Sequence, residues 1–384
     1  MKKKLIRVTT VPASMGGLLK GQLKFMSNNY EIIGVSSKNN KQLELVSKSE
    51  EIPTIAIEMT RQITPLKDLT AVWKLYKLFK KEKPFIVHSH TPKAGTVSMI
   101  ASRLAGVPHR LHTIAGLPLV ETVGLKRKIL NTVEKITYGC ATKIYPNSYG
   151  LMDIILENNF TKKDKLKIIA NGSSNGIDTL HFNPELYTKE HKRGLRKSLN
   201  IEKNDYVYIF VGRLVSDKGI NELVAAFTTL STKNSSIKLL LVGNYETELD
   251  PLLPETLKLI STNTNIISTG FVKDVRPYFA ISNALVFPSY REGFPNVVMQ
   301  AGAMQLPSIV TNINGCNEII VHQETGIIIP VKNEQALYEA MLFLYTKQEE
   351  VKNMGAKSRE RIVSKYERKN LWLALLEEYK SLDY

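Results

Sequence analysis

Along this chain, short β-rich runs of apolar residues alternate with longer stretches whose apolar positions keep helical spacing. That alternation predicts parallel sheets joined by crossover helices. In the first half the strand candidates are LIRVTTV, YEIIGVS, TIAIEM, FIVHSH, RLHTIAG, KIYPNS and LKIIAN. A second series follows: YVYIFVG, IKLLLVG, NIISTG, ALVFPS, SIVTN and GIIIP. Several are continuously apolar rather than alternating, as strands buried on both faces are. The alternation is interrupted at NGIDTLHFNPELYTKEHKRG, where Asn-Gly, Pro and charged residues cluster. The pattern predicts an α/β protein of two doubly wound, Rossmann-like domains, residues 1–182 and 183–362, facing a central cleft. A last helical segment, about 363–384, can pack on either domain.

In such sheets ligands bind outside the carboxyl ends of the strands, which directs attention to the loops that follow them. After the first strand, VPASMGGLLKGQL sets Gly16 and Gly17 at the expected strand-to-helix turn. Paired glycines there either let backbone N–H groups approach a phosphate or sugar, or simply make a tight turn. The spacing is not the G-x-G-x-x-G of dinucleotide binding. After the first strand of the second domain, VGRLVSDKGI sets Arg213 and Lys218 five residues apart. A guanidinium and an ammonium near helix N–H groups suit a diphosphate without a metal; the alternative is two solvated surface cations. After ALVFPS comes YREGFPNVVMQAG, with Glu292 in the loop, a helix expected from near Pro295, and Gln300 on nearly the same face as Glu292. A carboxylate beside free backbone donors suits sugar hydroxyls, and the Gln300 amide suits a ribose hydroxyl. The plainer reading makes Glu292 a helix cap. Of His88, His90, His109 and His112, the pair in HSH lacks the nearby carboxylate a metal site would want. His112 ends a strand before a glycine-containing loop, so it either faces the expected cleft or serves structurally.

The formal net charge of +16 is unevenly spread. Residues 1–180 hold 28 Lys and Arg against 13 Asp and Glu, a net of +15, whereas residues 181–384 hold 24 against 23, a net of +1. Nucleic acid, an anionic membrane surface and a phosphorylated substrate each suit such asymmetry. No recognised nucleic-acid module accompanies the charge, so nucleic acid is not an expected partner. Two basic amphipathic stretches carry part of it. In GLKRKILNTVEKITYGC the apolar set Leu125, Ile129, Val133, Ile136 and Cys140 keeps helical spacing, with Lys126, Arg127, Lys128 and Lys135 elsewhere. In LKDLTAVWKLYKLFKKEKP lysines accompany Trp73, Tyr76 and Phe79. Each helix either covers a sheet or lies on an anionic bilayer. Cys140 and Cys316 match no metal-ligand spacing and suggest a reducing compartment. The apolar run in MKKKLIRVTTVP is too short for a signal segment, and no window offers about 18 uninterrupted apolar residues. A cytoplasmic location is therefore expected, with no membrane crossing.

Taken together, GRLVSDKGI, SYREGFPNVVMQAGAMQLPSIVTNINGCNEII and NGIDTLHFNP resemble family 4 of the retaining nucleotide-sugar glycosyltransferases, which have the GT-B fold. The stretch HSHTPKAGTVSMIASRLAGVPHRLHTIAGLPL looks most like members that extend polyprenyl-diphosphate-linked sugars in capsule, O-antigen or glycoprotein assembly. The resemblance implies that Arg213 and Lys218 grip the donor diphosphate. It places Glu292 near the donor hexose, with the backbone of Gly293, Phe294 and Pro295 contacting its hydroxyls, and His112 near the transferred sugar. Gly16 and Gly17 match the loop that approaches the donor phosphates and the acceptor, and Phe271 and Val272 match the loop bordering the base. The family's last helix crosses back to the first domain. One departure stands out: the family pattern is E-x7-E, and the second glutamate is here Gln300, whose neutral amide accepts ribose hydrogen bonds more weakly.

The expected activity is retaining transfer of a hexose or N-acetylhexosamine from a nucleotide-diphosphate sugar, a UDP-sugar, to a lipid-linked saccharide. No metal or other cofactor is required. The expected site is the inner face of the cytoplasmic membrane, with Lys126, Arg127 and Lys128 toward the anionic surface. A nucleotide-sugar 2-epimerase of the same fold would need acid/base carboxylates in the first domain, and none is evident. A non-catalytic nucleotide-sugar or glycan-binding partner is kept open by Gln300.

Overall fold

The computed structural model describes residues 2–383 except 61, 63, 118–122, 247 and 249. The end of the acceptor-like stretch, Pro118 and Leu119, lies outside the described residues. The chain forms two compact units, Met1–Gly176 with Arg368–Tyr384, and Ile177–Glu367. The passage between them comes slightly before the division at 182/183 that the sequence pattern suggests. Asp178 and Thr179 already belong with the second unit, where Thr179 N–H donates to Glu367 at 3.0 Å.

In the first unit, β1 (Lys4–Val8), β2 (Glu31–Ser36), β3 (Thr54–Ala56), β4 (Ile86–His90), β5 (His109–Ile114) and β6 (Lys143–Pro146) form a sheet of order β3-β2-β1-β4-β5-β6. All its strand pairs are parallel. Helices α1 (Pro12–Leu18), α2 (Gln22–Ser27), α3 (Asn40–Glu50), α4 (Pro65–Glu82), α5 (Pro92–Ala105), α6 (Gly124–Cys140) and α7 (Tyr149–Glu157) alternate with them. The second unit repeats the plan. Its strands are β7 (Tyr206–Val211), β8 (Ile237–Val242), β9 (Ile266–Gly270), β10 (Ala284–Phe287), β11 (Ser308–Thr311) and β12 (Gly326–Ile329), in the order β12-β11-β10-β7-β8-β9. Its helices are α8 (Lys189–Ser198), α9 (Ile220–Lys233), α10 (Pro254–Thr262), α11 (Arg276–Ala280), α12 (Asn296–Ala303), α13 (Cys316–Ile319), α14 (Glu334–Thr346) and α15 (Gln348–Tyr366). A final helix, α16 (Arg368–Lys380), belongs to the first unit. The α/β reading with two Rossmann-like parallel sheets holds.

The apolar runs are strands because both sheet faces are covered: Leu5, Ile6 and Val8 of β1 are fully buried, as are Val207, Ile209 and Phe210 of β7. Three local expectations need correction. LKIIAN is not a strand. Leu166 makes a single bridge to Ile144, and left-handed backbone at Ala170 (φ 50°) and Ser173 (φ 71°) then takes the chain out of extended conformation. Gly16 and Gly17 sit inside α1 rather than at the turn before it, because Pro12 starts the helix earlier. The segment 363–384 is not one helix: α15 ends at Tyr366, Glu367 is non-helical, and α16 begins at Arg368.

Candidate active site

In the second unit the loops after β7, β8 and β9 are tied together through backbone groups and the Asn244 side chain. Leu214 N–H donates to the Asn244 carbonyl at 2.8 Å, and Phe271 N–H donates to Asn244 Oδ1 at 3.0 Å. A Cβ at Gly243 would lie 1.7 Å from the Gly212 carbonyl oxygen, so only glycine permits this approach. Strand ends thus present Arg213, Lys218 and Phe271 from neighbouring loops. Lys218 ends a 3-10 turn, Ser216–Lys218, just before α9. Glu292 comes from the loop after β10.

Lys218 Nζ donates to Glu292 Oε1 at 2.7 Å, and both side chains are largely buried. Ser289 Oγ donates to the same carboxylate oxygen at 3.1 Å. Glu292 Oε2 has no hydrogen bond among the described residues. The helix-cap reading of Glu292 fails: α12 has Pro295 at its N-cap position and no side-chain cap bond. Nor do Glu292 and Gln300 share a helix face, because Glu292 precedes the helix. Gln300 is half-buried on α12, and its amide has no side-chain partner among the described residues. Gly293, Phe294 and Pro295 are buried, with the Phe294 ring 5.5 Å from that of Tyr366.

Arg213 is not a solitary cation, since its Nη1 is bonded to the Glu246 carboxylate. Arg291 pairs with Asp217 at 3.2 Å, and Asp250 accepts from Asp217 N–H at 2.7 Å. Phe271 is exposed, as a ring offered to a planar ligand would be, while Val272 packs on the core. Sequence reasoning singled out Lys218 and Glu292, though not as partners, and missed Ser289 and Glu246. Glu246 follows the end of β8, so the strand-end rule would have found it; Ser289 ends ALVFPS and opens the family-like stretch that contains Glu292.

In the first unit His112 is buried within β5, which runs on to Ile114 rather than ending at the histidine, and its Nδ1 lies 2.9 Å from Ser89 Oγ. Burial pulls its pKa down to about 4, only partly offset by a hydrogen bond with Ser89, so the imidazole is neutral near pH 7. It lines a small cavity with Thr91, Pro92, Thr113 and Glu134, a buried carboxyl whose pKa burial raises. His88 and His90 belong to a different network around fully buried Arg7. Arg7 donates to Tyr379 Oη (2.9 Å) and Gln22 Oε1 (2.6 Å) and lies 2.7 Å from His90 Nε2. His88 contacts Tyr379 Oη at 2.5 Å and Thr113 Oγ1 at 2.8 Å. Both are structural histidines. His109 packs edge-on to Phe85 away from them. A Cβ at Gly16 would lie 3.2 Å from Val46 Cγ2, a tight contact within the unit, and one at Gly17 would meet nothing.

Of the five apolar residues whose spacing marks α6, three face outward, while Cys140 is buried and Val133 half-buried. Glu134, Thr137, Tyr138 and Cys140 are buried, while Leu125 (75% exposed), Ile129 and Ile136 face outward. Lys126 and Lys128 are exposed beside them, whereas Arg127 bonds Asn131 (2.9 Å) and Asn158 (3.0 Å). On α4 the outward side carries Leu66 (82% exposed), Leu69 and Trp73, with Trp73 stacked on Tyr76 and Lys77 over the Trp73 ring. Among the described residues no helix is long and apolar enough to cross a membrane, and no group of three or more His, Cys, Asp or Glu gathers as for a metal ion.

Two family models match the chain: "Glycosyl transferase 4-like" over residues 17–148 and "Glycosyl transferases group 1" over residues 191–361. The capsular polysaccharide biosynthesis glycosyltransferase CapM of Staphylococcus aureus is 33% identical over 99% of this chain and 97% of its own length. The Escherichia coli UDP-Gal:alpha-D-GlcNAc-diphosphoundecaprenol alpha-1,3-galactosyltransferase is 29% identical over 76% of this chain and 73% of its own. Among solved structures, Anabaena HepE in complex with UDP superposes with a TM-score of 0.82 at 16% identity, over 98% of this chain and all (100%) of that one.

Proposed function

This chain belongs to the family 4 glycosyltransferases of the GT-B fold, and from that premise we propose that it transfers a hexose or N-acetylhexosamine from a UDP-sugar to a lipid-linked saccharide during assembly of a surface polysaccharide. The observation that carries this reading is the Lys218–Glu292–Ser289 constellation at the strand ends of the second unit. It sets a cation suited to a departing diphosphate beside a carboxylate whose second oxygen remains for a sugar hydroxyl. The CapM relative supports the capsule setting, the E. coli relative supports the UDP-sugar and the diphospholipid acceptor, and HepE supports UDP as ligand.

Charge grows on the leaving diphosphate as the glycosidic bond breaks. Lys218, Arg213 and the N–H groups opening α9 neutralise it without a metal. Glu292 is already ion-paired to Lys218, which lowers its value as a nucleophile and favours attack from the leaving-group face with retention, the phosphate oxygen taking the acceptor proton. Gln300 meets the ribose through its amide, Phe271 and Val272 border the base, and the backbone of Gly293, Phe294 and Pro295 meets the hexose. His112 acts as a neutral hydrogen-bonding group to the transferred sugar. The acceptor lipid fits a protein resting on the inner face of the cytoplasmic membrane: the first unit holds 31 Lys and Arg against 15 Asp and Glu, a net of +16, and the second holds 21 against 21. The exposed apolar residues and lysines of α4 and α6 are the proposed contact.

The test incubates a panel of UDP-sugars with a short polyprenyl-diphosphate-saccharide and follows UDP release, product mass and the anomeric signal by NMR, with and without EDTA. Transfer from one donor with retention, unaffected by EDTA and reduced at least about 100-fold in Arg213→Ala and Glu292→Gln, is expected. Binding of a UDP-sugar without turnover on any acceptor favours the non-catalytic partner, and absence of binding ends the donor-site reading.

A further inference from the structure

Two anions call for one guanidinium in the second unit. One is the diphosphate that the proposed donor would bring to Arg213; the other is Glu246, already bonded to it. The pairing is built in by the backbone. The Leu214-to-Asn244 hydrogen bond and the Leu214–Tyr245 bridge hold the β7 and β8 loops in register one residue from Arg213 and Glu246. Farther along, the same β8 loop is fastened again: Ser216 Oγ donates to the Pro251 carbonyl at 2.5 Å, and Asp250 accepts from Asp217 N–H. Glu246 thus stands directly beside a backbone bridge that joins its loop to that of Arg213.

The charge balance says which carboxylate must yield. Arg213, Lys218 and Arg291 stand among Asp217, Glu246, Asp250 and Glu292, so the loops carry more negative groups than positive ones. A diphosphate adds further negative charge, and one resident anion has to give way. Asp250 is held by a backbone N–H, Asp217 by Arg291, and Glu292 by both Lys218 and Ser289. Among the described residues Glu246 is held by the Arg213 guanidinium, and it is more open to water than Glu292.

We infer that Glu246 is an internal competitor for the donor phosphate at Arg213, weakening nucleotide binding. The inference rests on the donor-site reading above. Its chemistry is simple exchange: the guanidinium trades the Glu246 carboxylate for a phosphate oxygen, and Glu246 moves into solvent. Exposed ion pairs are weak, so the expected penalty on nucleotide affinity is about two- to fivefold.

Isothermal titration of the whole protein with UDP, GDP and ADP tests this, using wild type, Glu246→Gln, Glu248→Gln, Arg213→Ala and the Arg213→Ala/Glu246→Gln double variant. Expected are a Kd for UDP about two- to fivefold lower in Glu246→Gln, no change in Glu248→Gln, whose exposed carboxylate shares the loop, and no gain from Glu246→Gln once Arg213 is gone. Unchanged or weaker binding in Glu246→Gln overturns the inference and makes Glu246 a positioning residue or a bystander. An equal gain in Glu248→Gln reduces the effect to general loop charge and also overturns it. If Arg213→Ala binds UDP as tightly as wild type, or none of the three nucleotides binds, the donor-site reading itself fails.

Discussion

The imidazole of His112 is fixed by its neighbours as much as by its own strand. Nδ1 lies against Ser89, and the far side of the ring faces Gly95, where a Cβ would lie 2.3 Å from Cε1. Gly95→Ala has no flexible chain end to push aside; it must displace the ring or spread α5 from β5. We expect a stability loss of about 1–3 kcal/mol in urea and a larger fall in kcat/KM than that loss explains; unchanged turnover would remove His112 from the reaction. Acid exposes the same residue in another way. Burial lowers the folded-state pKa of His112 to about 4 and those of His88 and His90 well below 6.5. Below pH 6.5 the unfolded chain therefore binds more protons than the folded one. The stability these groups confer is complete above about pH 6.5 and is lost as pH falls toward 4, with His112 alone worth on the order of 3 kcal/mol. Urea midpoints at pH 7 and pH 5 check this, and a midpoint that rises or stays level at pH 5 would refute it.

At the scale of elements, α6 offers the sharpest contrast between pattern and structure. Helical spacing identified the apolar stripe but not which side of the helix meets the sheet. The buried side contains Glu134, Thr137 and Tyr138, whose polar atoms no periodicity marks as interior. The outward stripe gives a prediction: Leu125→Ser with Ile129→Ser should cut co-sedimentation with anionic phosphatidylglycerol vesicles at least about threefold while Tm stays within 1–2 °C, since exposed substitutions cost within about 0.5 kcal/mol. Retained vesicle binding, or a Tm collapse, would mean the stripe packs on protein. The strands were legible because buried parallel strands are continuously apolar, and β7 and β8 read directly. LKIIAN shares that composition but lies beyond the last strand of its sheet, where positive φ angles decide. Lys218 and Glu292 were legible as residues at strand ends. Their partnership, and that of Arg213 with Glu246, was not, because it joins positions far apart in the chain and no local spacing encodes it.

At the scale of the molecule, the last helix decides which unit can stand alone. Leu371, Trp372, Leu375, Leu376 and Tyr379 of α16 share a core with Leu5, Met15, Leu19, Leu23 and Met26. Tyr379 also bonds Arg7 and His88, and Trp372 Nε1 donates to Asn175 Oδ1 at 2.7 Å. Ending the chain after Glu367 would strip five side chains from that core and leave the buried Arg7 guanidinium short of a partner, penalties that together exceed the few kcal/mol by which domains are usually stable. The second unit keeps its own core, its Ile177-to-Tyr366 backbone bond of 2.8 Å and the Thr179–Glu367 clasp. We therefore expect the truncated protein to lose one of its cooperative transitions in calorimetry and to yield, on limited proteolysis, a resistant fragment beginning near Ile177. Tyr379→Phe is the milder form of the same experiment: it removes one oxygen shared by Arg7 and His88 and should cost about 1–3 kcal/mol in the first unit's transition alone. Should the truncated chain keep two transitions, α16 would be an accessory to a fold that β1 to β6 already complete.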